Sequence, residues 1–135
     1  MTKVVDVTFD TETLLIFFLC EEGSDVVEKY LRNVESESIH GFINAVNLSE
    51  FYYILYRRDT EAAEEYFQGI LNSKLKFVGV DKNLTRLAGI IKGKYAISLG
   101  DAFCIATAFS KKTAVLAGSD PELNQVKDVE IIRVR

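Results

Sequence analysis

Lys3-Val4-Val5-Asp6-Val7-Thr8-Phe9-Asp10-Thr11 is the stretch whose reading decides the fold. Val4, Val5, Val7 and Phe9 are β-branched or aromatic, so Lys3 to Phe9 reads as a strand. Thr11 to Cys20 follows at once with good helix formers and a broad apolar surface. Asp10 stands at the hand-over. The same arrangement, an acid where a strand or loop gives way to a helix, returns in Asn47-Leu48-Ser49-Glu50, Ser98-Leu99-Gly100-Asp101 and Gly118-Ser119-Asp120-Pro121.

Outward from that first junction the pattern alternates. Glu21-Glu22-Gly23 breaks the first helix. Ser24 to about Glu37 is amphipathic, with Val27, Tyr30, Leu31 and Val34 at helical spacing and Ser24 as a cap. Ile39 to Val46 reads as a second strand, and Asn47 to Arg58 as a helix striped by Leu48, Phe51, Tyr52 and Leu55. Thr60 to Asn72 is another helix, Lys76 to Val80 a third strand, and Asp81 to Lys92 a helix carrying Leu84, Leu87, Ala88 and Ile91. Ser98 to Lys112 is a helix nearly free of charge between its ends. Ala114 to Ala117 and Glu130 to Val134 are the fourth and fifth strands. Alternating strands and helices argue for an α/β fold, a parallel sheet with helices on both faces. In such sheets ligands bind beyond the carboxyl ends of the strands, where Asp10 and Asp120 would both lie.

Composition fits one domain spanning residues 1–135. The 135 residues are 48% hydrophobic and 27% charged, enough apolar content for a core and too little charge for disorder. The net charge of −4 excludes binding of nucleic acid by a general basic surface, which goes with a pI above ~9. Any such contact must be local. The apolar run Leu14 to Cys20 is far short of the ~20 residues of a membrane span, and the N-terminal acids do not suit a secretory signal. A cytoplasmic protein with no membrane partner is expected. Cys20 and Cys104 both follow apolar runs and read as buried, reduced thiols.

Each acid has a plain structural reading. Asp10 can cap the helix from Thr11, Asp120-Pro121-Glu122 is an ordinary helix start, and Ser98-x-x-Asp101 and Asn47-x-x-Glu50 resemble capping boxes. Asp101 fits that reading least well. Its helical face continues through Cys104, Ile105 and Ala108, so the carboxylate borders a buried surface and calls for an N–H group or a cation. Glu50 points away from the apolar stripe of its helix, toward solvent or a shared pocket. Carboxylates gathered in one place repel, and hard divalent cations relieve that repulsion.

In their order, these motifs resemble those of the PIN-domain ribonucleases, above all the small VapC-like toxins of prokaryotic toxin–antitoxin pairs. Phe9-Asp10-Thr11-Glu12-Thr13-Leu14 is similar to the first family motif, and Asn47-Leu48-Ser49-Glu50-Phe51 to the second, with Glu in the first turn of a helix. Ser98-Leu99-Gly100-Asp101-Ala102, with Ile105-Ala106-Thr107-Ala108, is similar to the third. Val115 to Leu123 is similar to the fourth, with Ala117 where many relatives carry Thr and Ser119 as the alternative hydroxyl.

The resemblance covers nearly the whole chain. It implies a three-layer PIN-like fold, its five-stranded parallel sheet in the order 3-2-1-4-5. It also implies Mg²⁺ or Mn²⁺, one or two per site, held by Asp10, Asp101, Glu50 and Asp120 as the catalytic acids. The implied activity is endonucleolytic hydrolysis of single-stranded RNA, with a small antitoxin protein as partner and a homodimer as assembly. Two-metal sites place their ions about 3.5–4 Å apart, which four carboxylates suit.

Thr11 and Ser119 are expected near the phosphate. Lys92 and Lys94, just before the third motif, are the basic residues expected nearest the cleft; Arg57, Arg58, Arg86, Lys111 and Lys112 are further candidates. Arg57 and Arg58 also suit a helix C-terminus for ordinary reasons. His40, the sole histidine, reads as a strand-end residue. Tyr52, Tyr53 and Tyr56 share a helix, where an interface would use them.

Two other classes compete. A catalytically silent PIN-like module would bind RNA or protein without turnover, and absence of Mn²⁺ binding would favour it. A phosphorylatable receiver-like domain would use Asp81 after the third strand, but it also needs a Lys after the fifth, where Arg133-Val134-Arg135 stands.

Overall fold

The computed structural model describes residues 3–135. Its strands are β1 (Val7–Phe9), β2 (Gly41–Asn44), β3 (Lys76–Val78), β4 (Ala114–Ala117) and β5 (Ile131–Arg133). They form one sheet in the order β3-β2-β1-β4-β5, every neighbouring pair parallel. The expected order is therefore the observed one. Parallel strands align their carboxyl ends, so Asp10, Asn44 and Gly118 leave the sheet at a single edge. Asp6 and His40 sit at the opposite edge, where Asp6 Oδ1 accepts the His40 N–H at 2.8 Å. This removes His40 from the acidic edge.

Helices cover both faces. α1 (Thr11–Phe18), α2 (Ser24–Glu35), α3 (Ala45–Tyr56) and α4 (Thr60–Asn72) pack on one core with Val7, Phe9, Ile43, Ala114 and Leu116. α5 (Lys82–Lys94) and α6 (Leu99–Lys111) pack on a second core with Val115 and Ala117. β4 shows why: Ala114 and Leu116 face one layer while Val115 and Ala117 face the other, the period of two that a strand imposes. All four residues are buried, as a central parallel strand requires.

The element boundaries differ from expectation in informative ways. β1 begins at Val7 rather than Lys3, because it pairs with β2 and β4 only from Val7 onward. α3 begins at Ala45, two residues before the expected Asn47. Asn44 is its cap: the side chain accepts the Val46 N–H at 2.8 Å. The capping box expected at Asn47 and Glu50 is thus absent, and Glu50 lies in the second turn of α3 rather than the first. Asp120 does cap a turn, as expected, but the segment Pro121–Gln125 is a short 3-10 helix. Asp81 caps α5 by accepting the Leu84 N–H at 2.8 Å. Cys104 is buried as expected, but Cys20 is exposed. α1 stops at Phe18, and Cys20 turns outward with φ of 54°.

Candidate metal centre

Asp10 is the most enclosed of the acids. It follows β1, the middle strand, and α1 begins directly after it, so its carboxylate is covered from both sides. One oxygen accepts the Thr13 N–H at 2.7 Å as a helix cap, and the other accepts the Gly118 N–H at 3.3 Å. The residue is only 5% exposed. Burial pushes its carboxyl up to about 7, the two N–H donors opposing that rise only in part. The cap expected from the sequence is real. It uses one oxygen and leaves an expensive buried charge on the group as a whole.

Glu50 reaches the same edge from α3. Its Oε1 accepts the Thr11 hydroxyl at 2.8 Å, tying α3 to the first turn of α1. The Asn47 amide adds a third element: Nδ2 donates to the Gly100 carbonyl of α6 at 3.0 Å and lies 3.4 Å from Glu50 Oε1. Glu50 occupies the space that a side chain at position 100 would fill. A Cβ built on Gly100 would overlap both carboxylate oxygens. Asn47 Oδ1 is buried with no hydrogen-bond partner, a polar atom left unpaired beside the acids.

Asp101 sits in the first turn of α6, where Ser98 caps the helix by accepting the Asp101 N–H at 3.1 Å. Burial pushes the Asp101 carboxyl up to about 6, with the neighbouring Asp120 and Glu50 adding to the rise. Cys104, one turn further along, is fully buried beneath the cluster. Its thiol is pushed well up, first by burial and then by the charges of Asp10, Asp101 and Glu50. Those three acids and Asp120 therefore share one locality. Asp101, Asp120 and Glu122 each present a carboxylate oxygen, all within 4.8 Å of one another. Sequence patterns do not single out Glu122, which reads as part of a helix start. The 3-10 segment after Asp120 carries it back toward Asp101.

The donor set suits a hard divalent cation. The carboxylates that meet are those of Asp101, Asp120 and Glu122, while Asp10 and Glu50 lie near without joining that group, and among the described residues none of Asp10, Glu50, Asp101 or Asp120 forms an ion pair with a basic side chain. Two raised carboxyls and an unpaired amide oxygen mark a site whose charge is unbalanced in the protein alone.

The other expected residues are distributed less simply. Thr11 is within the site, bonded to Glu50. The Ser119 hydroxyl is engaged by Glu12, at 3.1 Å from its Oε2. Lys94 pairs with Asp128 at 2.7 Å, and Lys92 is exposed on the same final turn of α5. Lys111 and Lys112 end α6, about 15 Å along its axis from Asp101 at 1.5 Å per residue. Arg57 lies over the Tyr53 ring, 5.0 Å from its centroid.

The fold recurs in solved structures. VapBC2 from Rickettsia felis, bound to a promoter DNA fragment, superposes with a TM-score of 0.76 at 12% identity, covering 96% of this chain and 98% of that one. DNA-bound VapBC from Salmonella typhimurium gives 0.77 at 17% identity, over 98% and 100%. VapC20 of Mycobacterium tuberculosis, a sarcin-ricin loop cleaving toxin, gives 0.70 at 17% identity, over 92% and 98%. At such identities the likeness is one of fold. A search of curated proteins finds no match. The family model described as PIN domain matches residues 7–129, from the first residue of β1 to just before β5. With the 3-2-1-4-5 parallel sheet and the acids gathered at its carboxyl edge, that match places the chain in the PIN domain family.

Proposed function

We propose that this protein is a Mg²⁺- or Mn²⁺-dependent endoribonuclease that hydrolyses single-stranded RNA, acting as a VapC-like toxin restrained by a small antitoxin. The observation that carries the reading is the grouping of the Asp101, Asp120 and Glu122 carboxylates within 4.8 Å, with Asp10 and Glu50 close enough to act on their surroundings by charge and none of these acids paired with a basic side chain. Family membership supports nuclease chemistry, and folds like it occur in toxin–antitoxin complexes.

A divalent ion, when bound, supplies the positive charge that lowers the barrier to attack of water on a phosphodiester. The chain's own contributions are positional. Asp10, whose carboxylate accepts two backbone N–H groups, and Asp101, in a helical turn capped by Ser98, would be the principal ligands. Glu50 is aimed by Thr11 and Asn47, and Asp120 adjoins Asp101. Without a cation these acids would repel phosphate. Thr11 and Ser119 border the phosphate position, and Lys92 and Lys94 extend the surface that receives the strand. Exposed Tyr53 and Tyr56 on α3 supply an apolar face for a homodimer or for the antitoxin.

The test is cleavage of a labelled single-stranded RNA by purified protein. Cleavage with Mn²⁺ or Mg²⁺, lost in Asp10→Asn and Asp101→Asn, is expected. Robust cleavage in excess EDTA, or by either variant, would sink the proposal.

A further inference from the structure

The segment that carries Asp120 is gripped by a residue with no part in the acid cluster. Glu12, in the first turn of α1, turns its carboxylate away from the helix and onto the loop after β4. Oε1 accepts the Ser119 N–H at 3.1 Å, and Oε2 accepts the Ser119 hydroxyl at 3.1 Å. Oε2 also accepts from Arg135 at 2.7 Å, while the second arm of that guanidinium reaches Glu21 at 3.3 Å. Gly118 makes room for this. A Cβ there would overlap Glu12 Cδ and both its oxygens, so the carboxyl group occupies the place of a side chain.

Gly118 is fixed on its other sides as well. Its N–H points to Asp10 Oδ2, and its carbonyl accepts from Arg133 at 2.7 Å. Arg133 in turn spans to Asn124 Oδ1 at 2.6 Å, beyond Asp120. Ser119 before Asp120 and Asn124 after it are thus tied to charged side chains other than the four expected acids, Glu12 also lying close enough to Asp10 to raise its carboxyl.

An acid in the first turn of a helix is favourable through the helix dipole alone. That effect does not require the carboxylate to leave the helix and bridge to Ser119. Three hydrogen bonds on one carboxylate, together with a side-chain-free position shaped to admit it, exceed what a dipole preference accounts for.

We infer that Glu12, braced by Arg135, is a positioning residue: it holds Gly118 and Ser119 and so sets where Asp120 stands relative to Asp101. The inference rests on the metal-centre reading for its consequence and on the loop contacts alone for its geometry. Partners of metal ligands that are not ligands themselves commonly change metal affinity by roughly 10- to 100-fold. Glu12→Gln keeps the acceptor for the Ser119 N–H and removes the charge that Arg135 needs. Gly118→Ala displaces the Glu12 carboxyl while leaving its charge intact.

The experiment has two arms. In metal-free protein, amide hydrogen exchange by NMR reads the loop directly. Exchange at Ser119 is expected to be roughly tenfold or more faster in Glu12→Ala than in the wild type, with core amides unchanged. Equal exchange would overturn the inference. In the second arm, Mn²⁺ is titrated calorimetrically. Affinity is expected to fall roughly tenfold or more in Glu12→Ala and Gly118→Ala and to be partly restored in Glu12→Gln. Wild-type affinity in a folded Glu12→Ala would also overturn it. A wild type that binds no Mn²⁺ would contradict the metal-centre reading instead, and the exchange arm would still decide the role of Glu12.

Discussion

The Glu50 carboxylate lies against the bare Cα of Gly100, so close that a methyl group there would overlap its oxygens. Gly100 is one residue from Asp101, and its missing side chain is what allows an acid from α3 to approach an acid on α6. Gly100→Ala therefore forces Glu50 to move, since a carboxyl at the end of a flexible chain yields before backbone does. Alanine is the better helix former by roughly 1 kcal/mol, so the variant should fold with little loss of thermal stability. Its Mn²⁺ affinity should fall roughly tenfold or more. Calorimetry beside thermal melting checks this; unchanged affinity would contradict the placement of Glu50.

Burial of Asp10 makes the metal-free protein sensitive to pH. Its carboxyl titrates at about 7 in the fold against an ordinary 3.8, so the fold favours the neutral acid. That contribution is fully present below the ordinary value and is lost as pH rises through about 7. Its ceiling is about 4 kcal/mol at 1.36 kcal/mol for each unit. In EDTA, Asp10→Asn should gain stability relative to the wild type between pH 5 and pH 8. With saturating Mn²⁺ the order should reverse, because the wild type, with the full set of acids, gains more from ligation. A difference in melting temperature independent of pH would contradict the assignment.

Protons and metal compete for the same oxygens. With Asp10 at about 7 and Asp101 at about 6, Mn²⁺ affinity should fall roughly twentyfold between pH 8 and pH 6 and more steeply below. Calorimetry in buffers of different ionisation enthalpy should show protons released on binding. A flat profile would mean that these two acids are not ligands.

Asn44 links the fold to the site. It caps α3, which carries Glu50, and its Nδ2 donates to Thr107 of α6 at 2.9 Å with the residue wholly buried. Asn44→Ala removes both contacts and should cost about 2 kcal/mol, read as a lower denaturant midpoint. A loss below a few tenths of that would show that another group caps the helix.

Much of the fold and the site is legible in the amino-acid sequence. The alternation of strands and helices, the buried face that continues from Asp101, and the strand that ends in Asp10 are local patterns, and local patterns survive folding. The start of α3 is not legible in this way. Asn44 and Asn47 are both good caps, and only pairing of Asn44 with Val78 shows that β2 ends there. Glu122 and Glu12 escape a reading of local patterns because their roles depend on contacts between distant segments. Glu12 meets Ser119 across 107 positions, and no spacing rule reports that. Cys20 departs from expectation because an apolar run predicts burial only while the helix continues.

The most direct measurement is of the ends left on the cut RNA. If Asp10, Glu50, Asp101 and Asp120 act by directing water at the phosphorus with Mg²⁺ or Mn²⁺, the products carry linear phosphomonoesters and hydroxyls. None should form with Asp101→Asn. A 2′,3′-cyclic phosphate, which arises when the RNA's own 2′-hydroxyl attacks, would contradict the account.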